Sequence, residues 1–212
     1  MKWQILILTQ PSRREFLRQL TELLEPQIKS LGLRRCESVE VITTEFDPKY
    51  DLGTNRQKLK EQSDAEYISF IDDDDLVAPD YIASILPLLD GVDQVGFNFA
   101  CHIDHAPALI AEHSLKHTGW YVEPGTPSKP VKLCRDISHM TPMRRELSLA
   151  KPMSGGFGED RRWADAMRGL VKTEHYVDKV LYYYLSRTRK NDAKDANDPW
   201  RIEFLEKLQA KV

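Results

Sequence analysis

The first part of the chain alternates between short apolar runs and longer segments whose apolar residues recur at helical spacing. Trp3 to Leu8 is apolar at all but one position, which predicts a buried strand. The next segment has one apolar helical face, and Ser12-Arg13-Arg14-Glu15 predicts a capping box at its start. Gly32 is expected to end this helix, and Val39 to Thr44 is a second predicted strand.

The same alternation continues to about residue 101. A helix is predicted over Thr54 to Gln62, again opening at a capping box, and an aromatic and β-branched strand over Tyr67 to Ile71. Pro79 to Asp90 is expected to be helical, and Gln94 to Cys101 to be a strand. Because strands and helices in this order form right-handed crossovers, we expect a parallel sheet with helices on its faces.

The second half of the chain has a less regular pattern. Residues 102–130 are rich in histidine, proline and glycine, and we expect loops and hairpins that cover one face of the sheet. The later predicted elements are a strand over Val131 to Cys134, a short helix over Pro142 to Leu149, a helix over Glu159 to Leu170, a strand over His175 to Leu185 and a helix over Trp200 to Leu208.

Composition restricts the class of protein. A chain of 212 residues with 41% apolar content can bury the core of a single domain, and a net charge of −3 argues against a protein that works mainly as a polycation. Cys36, Cys101 and Cys134 are widely spaced and form no CxxC pair, which favours free thiols in a reducing cytoplasm. Since no apolar run reaches membrane length, we expect a soluble cytoplasmic protein without membrane insertion.

Four consecutive carboxylates, Asp72 to Asp75, follow the predicted strand Tyr67 to Ile71 directly. Like charges about 4 Å apart repel one another by roughly 1 kcal/mol per pair even in water. A divalent cation such as Mg²⁺ or Mn²⁺ would offset this repulsion, because hard ions bind carboxylate oxygens. The alternative is an acidic surface turn. The buried strand before the run and the predicted helix after it favour a metal site.

Four stretches carry a resemblance to a known family. Gly53-Thr54-Asn55-Arg56-Gln57-Lys58-Leu59 resembles the basic helix before the metal strand of GT-A-fold glycosyltransferases. Glu66-Tyr67-Ile68-Ser69-Phe70-Ile71-Asp72-Asp73-Asp74-Asp75 resembles the strand and DxD motif of that family. Gly158-Glu159-Asp160-Arg161-Arg162-Trp163 resembles its Glu-Asp motif, and Leu181-Tyr182-Tyr183-Tyr184 the aromatic strand after it. The chain is similar to family 2 members in particular, with small soluble bacteriophage enzymes among the candidates.

The resemblance implies both a fold and a reaction. The fold would be α/β, a Rossmann-like GT-A domain with a mixed, mostly parallel sheet flanked by helices and a C-terminal acceptor-side subregion. A single domain over 1–212 would divide into a nucleotide-sugar-binding half, 1–101, and an acceptor-side half, 102–212. The reaction would be transfer of a sugar from a nucleotide-diphosphate sugar, such as a UDP-sugar, to a hydroxyl acceptor. The cofactor would be Mn²⁺ or Mg²⁺.

The resemblance also assigns metal and donor positions. Asp74 would bind the metal directly, and Asp72 would contact the ion or the ribose of the nucleotide. Asp73 and Asp75 leave this register open by one residue. His175 or His139 would supply a further metal ligand, although a lone histidine is more often simply packed or exposed. The donor itself would be bordered by Thr9, Gln10, Pro11, Glu45, Asp47, Arg56, Asp72 and Asp73. A surface helix charge is the alternative role for Arg56.

Catalysis needs a base that takes the acceptor's proton. The resemblance assigns this role to Asp160, and a single such carboxylate implies direct displacement with inversion at the anomeric carbon. Both Glu159 and Asp160 also suit the first turn of a helix for purely electrostatic reasons. Glu159, Arg161, Arg162 and Trp163 would lie on the acceptor side, with a core position as the alternative for Trp163.

The acceptor is the least determined part of the prediction. Basic pairs at Arg144-Arg145 and Arg161-Arg162 and the run Arg187-Thr188-Arg189-Lys190 suggest a polyanion, such as DNA with hydroxymethylated bases. A glycan acceptor and an ordinary solvated basic surface remain alternatives. Two other functions also stay open. One is a metal-dependent nucleotidyltransferase, and the other is a nucleotide-sugar or Ca²⁺-binding module without turnover.

Overall fold

A computed structural model describes residues 1–32, 38–186 and 195–211. The strands are β1 (Lys2–Thr9), β2 (Ser38–Glu45), β3 (Tyr67–Phe70), β4 (Leu76–Val77), β5 (Gln94–Ile103), β6 (Leu109–His113), β7 (Tyr121–Glu123), β8 (Lys132–Arg135), β9 (Met143–Arg144) and β10 (Glu174–Ser186). The helices are α1 (Arg14–Ser30), α2 (Leu52–Gln62), α3 (Tyr81–Ile85), α4 (Arg145–Leu149), α5 (Glu159–Met167) and α6 (Pro199–Gln209). Within the described residues, none of these helices is both long and apolar enough to cross a membrane.

The described strands join into one sheet in the order β2-β1-β3-β9-β5-β6-β8-β7, with β10 paired to β5 and β4. The two longest ladders, β1 with β2 and β5 with β10, are parallel, and the shorter ladders of β1 with β3 and of β6 with β8 are parallel as well. The antiparallel ladders are short. The predicted mixed, mostly parallel α/β sheet is therefore confirmed, and it runs through both halves of the chain.

The core forms where the apolar face of α1 and the short helix α3 pack on the sheet. Leu20, Leu23 and Leu24 of α1 are completely buried, together with Trp3 of β1 and Tyr81 of α3. The rings of Trp3 and Tyr81 lie 5.7 Å apart between centroids, and Tyr81 stacks edge-on against Phe97. Burial of such side chains contributes roughly 1.5–3 kcal/mol each to folding, which makes this sheet face rigid.

Both predicted capping boxes are wrong, although both helices exist. Pro11 begins a 3-10 turn over Pro11–Arg13, and α1 has no side-chain cap at its N-terminus. For α2 the cap is Asp51, whose carboxylate accepts the Thr54 N–H at 2.7 Å, so the helix starts two residues earlier than predicted. For both helices, the path of the loop before the helix decides which side chain, if any, caps the N-terminus.

Three other predicted helices are shorter than expected. The helix predicted from Pro79 ends at Ile85, and a 3-10 turn over Leu86–Leu88 follows it. The one predicted to Leu170 ends at Met167, because Gly169 has a φ of +85° and turns the chain. The segment from Pro142 to Leu149, predicted to be one helix, contains strand β9 before α4. Strand β9 pairs with β3 and keeps Met143 in the sheet.

The loop after α4 connects directly to α2. The Gly53 N–H donates to the Gly155 carbonyl at 2.9 Å, and a Cβ on Gly53 would lie 2.6 Å from backbone atoms of Ser154. Only glycine therefore permits this approach. Since residues 154–158 lead into α5, the contact fixes the N-terminus of α5 beside the carboxyl end of the sheet.

Candidate active site

The acidic run forms a tight turn directly after β3. The Asp75 N–H donates to the Asp72 carbonyl at 3.1 Å, and the backbone then enters β4. Asp73 and Asp75 are completely buried and Asp74 nearly so, whereas the side chain of Asp72 is 29% exposed. An acidic surface turn would leave its carboxylates in water, so the burial of three of them requires specific partners.

Asp75 is bonded to the sheet. Its carboxylate accepts the Tyr182 hydroxyl at 2.8 Å and the Leu185 N–H at 2.9 Å, both from β10. The Tyr182 oxygen also accepts the Asp72 N–H at 3.2 Å. Burial and the neighbouring Asp75 raise the pKa of Tyr182, which keeps its hydroxyl protonated as a donor. Asp75 thus fastens the turn to β10.

Asp73 and Asp74 share one arginine. Arg13 donates from Nη1 to Asp73 and from Nη2 to Asp74, both at 2.6 Å, and the Thr9 hydroxyl donates to Asp73 at 2.7 Å. Burial opposes the charge on Arg13, but Asp74 and Asp73 outweigh it and raise the pKa of the guanidinium. Burial raises the pKa of Asp73, and these two hydrogen bonds only partly offset that rise.

Arg56 of α2 connects the acidic turn to α5. Its Nη2 donates to Asp72 at 2.5 Å, and its Nη1 donates to Glu159 in a very short contact. Although Arg56 is only 7% exposed and burial opposes its charge, Asp72 and Glu159 raise its pKa. The pKa of Glu159 is itself raised by burial, despite the neighbouring arginine. Two stretches distant in sequence are thereby held together by one guanidinium.

Two clefts meet at this arginine. The first has a volume of about 470 Å³ and is lined by Leu8, Thr9, Gln10, Arg13, Phe46, Leu52, Arg56, Asp72, Asp73, Asp74 and Tyr184. The second, of about 420 Å³, includes Trp120, Arg135, Phe157, Glu159, Asp160 and Arg161 in its lining. Leu52, Arg56, Asp72 and Tyr184 line both clefts. The clefts are therefore neighbours that share one wall, which is the arrangement needed to bring two substrates together.

Several predicted donor residues, together with the predicted metal ligand Asp74, come together in the first cleft. The donor residues are Thr9, Gln10, Arg56, Asp72 and Asp73. Three others do not line it. Pro11 and Glu45 are exposed, and Glu45 is the register partner of Thr9 at the end of β2. The carboxylate of Asp47 accepts the Lys49 N–H at 3.0 Å and so closes a loop. Phe46, between these two acidic residues, is the one that reaches the cleft.

The predicted acceptor-side residues separate into two groups. Glu159, Asp160 and Arg161 line the second cleft. Arg162 instead donates to the carbonyls of Gly156 and Phe157, at 3.0 and 3.2 Å, and holds the glycine-rich loop. Trp163 is 2% exposed and donates to the Lys151 carbonyl at 3.1 Å, so it belongs to the core. Trp163 is therefore explained by its place on the apolar face of α5 and not by a contact with the acceptor.

Neither predicted histidine lines the clefts. His175 pairs in register with Val95 near the amino ends of β10 and β5, and its Nδ1 lies 2.8 Å from the Leu88 carbonyl. The aspartates follow the opposite, carboxyl end of the sheet, so His175 is wrongly placed for a metal ligand there. His139 is buried against Phe70, and burial and then Arg56 lower the pKa of His139 well below its ordinary value.

Sequence reasoning missed Arg13, Phe46, Trp120, Arg135 and Tyr184 as cleft residues. Arg13 carried a usable signal, because it lies just past the carboxyl end of β1. Tyr184 lies within the aromatic run of β10, but only the pairing of β10 identifies which of the tyrosines reaches the clefts. The guanidinium of Arg135 lies 4.2 Å from the ring centre of Trp120, a cation–π contact between residues distant in sequence.

The donor atoms around Asp72 and Asp74 fit a divalent cation. Both carboxylates line the first cleft, and oxygen ligands of this kind suit Mg²⁺ and Mn²⁺. The aspartates that line the cleft outnumber its arginines, and Arg56 is shared with Glu159. An excess of negative charge therefore remains that would repel a diphosphate. A cation would remove that repulsion.

Comparison with solved structures identifies the fold. The chain is similar to the crystal structure of Staphylococcus aureus TarS residues 1–349, with a TM-score of 0.55 and 14% identity over 87% of this chain and 60% of that one. The complex of the same TarS segment with UDP-GlcNAc gives 0.56 at 12% identity, covering 93% and 61%. Its complex with UDP gives 0.55 at 12% identity, covering 87% and 60%.

The sheet has the Rossmann-like GT-A fold. The predicted fold class is confirmed by these structural neighbours together with the strand order. The chain spans about three fifths of the TarS segment that it matches. No protein-family model matches the sequence, and no curated protein does.

Proposed function

We propose that this chain is a metal-dependent, inverting glycosyltransferase that uses a nucleotide-diphosphate sugar. The observation that carries the proposal is the shared wall of the two clefts, where Arg56 is bonded to both Asp72 and Glu159. The similar fold of TarS, solved with UDP-GlcNAc and with UDP, supports a UDP-sugar as the donor.

The first cleft would bind the donor. Thr9, Gln10 and Phe46 line this cleft and suit the base and ribose, while Arg13 and Arg56 supply positive charge for the diphosphate. Asp72 and Asp74 would hold Mn²⁺ or Mg²⁺, which supplies Lewis-acid stabilisation of the charge on the leaving diphosphate. When the donor binds, Arg13 is in a position to exchange a carboxylate for a phosphate partner, because both accept from a guanidinium fork.

The second cleft would bind the acceptor, with Asp160 as its base. Asp160 is half-buried in the first turn of α5, where its Oδ1 accepts the Arg161 N–H at 2.7 Å. In the reaction an acceptor oxygen forms a bond to the anomeric carbon while the bond from that carbon to the diphosphate breaks. The acceptor proton goes to Asp160, and the bonding electrons leave with the diphosphate. One displacement inverts the anomeric centre.

The lining of the second cleft suits a flat, hydroxylated acceptor. Trp120 and Phe157 offer aromatic faces, and Arg135 and Arg161 offer hydrogen-bond donors. Both a glycan and a hydroxymethylated base in DNA fit this chemistry. The basic pair of β9 and α4 does not extend the cleft, since Arg144 lies over the Tyr67 ring and Arg145 donates to the Glu61 carbonyl. The run at 187–190 lies outside the described residues. Because Arg144 and Arg145 lie away from the second cleft, we prefer a glycan as the acceptor.

A panel of nucleoside diphosphates tests the donor assignment. We expect UDP to raise the melting temperature of the full chain in the presence of Mn²⁺, and to do so less without the metal, because the cation offsets the charge of the cleft. A shift with ATP but not with UDP, and release of pyrophosphate, would identify a nucleotidyltransferase instead. If UDP binds but neither transfer nor hydrolysis of UDP-sugars is measured, the chain is a binding module.

A further inference from the structure

A second cluster of metal-binding side chains lies at the edge strand β7 and its partner β8. One ligand atom each from His117, Glu123 and Cys134 lies within 4.8 Å of the other two. None of these residues lines either cleft. Cys134 is completely buried, His117 is 8% exposed, and Glu123 is exposed. We propose that His117, Glu123 and Cys134 bind a zinc ion.

The strand register explains why these side chains converge. Tyr121 of β7 lies directly opposite Cys134 of β8 in an antiparallel pair. Since side chains alternate across a strand, Glu123 shares the face of Tyr121 and is a diagonal neighbour of Cys134. His117 precedes β7 by one loop and turns back onto the same face, where its Nδ1 lies 2.9 Å from the Tyr121 hydroxyl. Three segments therefore contribute to one small volume.

In the described part of the chain, one buried atom of this cluster lacks a hydrogen-bond partner. Nε2 of His117 is buried and makes no hydrogen bond among the described residues, and its closest acidic group is the Glu112 carboxylate at 3.7 Å. The Cys134 thiol is buried between Tyr121 and Glu123, with which it hydrogen-bonds, and it forms no disulfide among the described residues.

The ligand chemistry favours zinc over the ions expected in the first cleft. A thiolate and an imidazole are borderline-soft ligands that suit Zn²⁺, whereas Mg²⁺ and Mn²⁺ prefer oxygen. Zinc bonds of about 2.0–2.3 Å put tetrahedral ligands roughly 3.5 Å apart. The cluster would therefore contract by about 1 Å on binding. Glu123 is exposed on a three-residue edge strand, so a rotation of its side chain can supply that movement. Water would complete the fourth position.

Zinc at this position would fix one wall of the second cleft. Trp120 and Arg135 line that cleft, and each is the chain neighbour of a residue at the cluster, Tyr121 and Cys134. An ion that joins the loop before β7 to β8 would hold Trp120 against Arg135. This consequence for acceptor binding rests on the proposed function, whereas the binding of zinc does not.

Cobalt substitution tests the site on the full chain. After treatment with a chelator, one equivalent of Co²⁺ should produce a thiolate-to-cobalt charge-transfer band and the intense visible bands of tetrahedral Co²⁺, and Zn²⁺ should abolish both. Cys134→Ser should lose the charge-transfer band, while the matched variant Cys101→Ala, which removes the buried thiol of β5, should keep it. Glu123→Gln at an exposed position should weaken binding by roughly tenfold or more, equivalent to about 1.4 kcal/mol.

The outcomes separate this site from the first cleft. Co²⁺ bound by carboxylates alone gives no thiolate band, so a spectrum without that band in the wild-type chain overturns the proposal even if metal binds. A band that survives Cys134→Ser also overturns it. If Cys134→Ser does not fold, Glu123→Gln decides, because unchanged affinity in that variant excludes Glu123 as a ligand. Binding of UDP with Mn²⁺ is measured in parallel and tests the proposed function independently.

Discussion

At the scale of single residues, the site depends on arginines that lie far from the acidic run in sequence. Arg13 pairs with both Asp73 and Asp74, and Arg56 joins Asp72 to Glu159. Arg56 is buried, and removing one partner of a buried pair typically costs roughly 3–5 kcal/mol, because the other charge stays buried alone. The side chain of Arg13 is 35% exposed, so its removal costs less. If a variant of either arginine lost activity, the loss could come from unfolding or from a damaged site. Asp160 is therefore the better residue for a test of the chemistry.

Replacement of Asp160 by Asn should remove turnover and preserve donor binding. The amide keeps the shape of the carboxylate but takes no proton from the acceptor, so we expect kcat to fall by roughly 10²–10⁴-fold. The affinity for UDP with Mn²⁺, measured by calorimetry, should change little.

Asp165→Asn is the matched control for this prediction. Asp165 lies on the same helix, is about half exposed and pairs with Arg168, so its loss should leave kcat unchanged. Wild-type turnover in Asp160→Asn would mean that another group serves as the base.

Lys60 gives a second prediction at this scale, one about pH and stability. Burial lowers the pKa of this lysine to about 7, although its Nζ donates to the Ser148 carbonyl at 2.7 Å. The unfolded chain therefore binds more protons than the folded chain between pH 7 and the ordinary lysine pKa of 10.5. Stability should rise with pH through that window, by roughly 2 kcal/mol between pH 7 and 9 from Lys60 alone.

Denaturant unfolding of Lys60→Met at several pH values measures this contribution. The variant should lack the rise, so that the difference from wild type grows with pH. Lys58→Met is the control on the same helix, because Lys58 is only partly buried and lies over the Tyr50 ring. Parallel curves for the wild type and Lys60→Met would contradict the burial of a neutral amine.

At the scale of elements, α2 and the glycine-rich loop before α5 act as one unit. Gly53→Ala should destabilise the fold by roughly 1–3 kcal/mol, because its Cβ would meet the Ser154 backbone at 2.6 Å. The displaced loop should also lower kcat, since it carries Glu159 and Asp160. Gly156→Ala tests the specificity of this effect. Its Cβ would meet no atom within 4 Å, and its unfolding free energy should stay within about 0.5 kcal/mol of wild type.

Sequence patterns predicted those elements that periodicity controls directly. The parallel strands, α1 and the strand before Asp72 follow from apolar runs and helical spacing. The failures are positions where tertiary contacts decide the outcome. Arg13 reaches Asp73 instead of supporting a capping box, and Met143 joins the sheet against a helical pattern. The register among the four aspartates could not be predicted either, because only the pairing of β10 shows that Asp75 is bonded to Tyr182.

At the scale of the whole molecule, one sheet positions two clefts against a shared wall. The carboxyl ends of β1 and β3 and the N-terminal half of α2 supply the first cleft, and β8, β10 and the start of α5 contribute to the second. This arrangement explains why residues from Thr9 to Tyr184 meet. The direction of β10 also explains why His175 is not placed to be a metal ligand. It puts His175 at the end of the sheet opposite to the aspartates.

A crystal grown with Mn²⁺ and UDP tests the central claim most directly. The anomalous signal of manganese should lie about 2.0–2.3 Å from a carboxylate oxygen of Asp72 or Asp74 and within bonding distance of the diphosphate. The uracil should lie in the first cleft beside Thr9 and Phe46. A manganese ion bound away from both aspartates, or UDP bound outside the first cleft, would contradict the assignment of this cleft as the donor site.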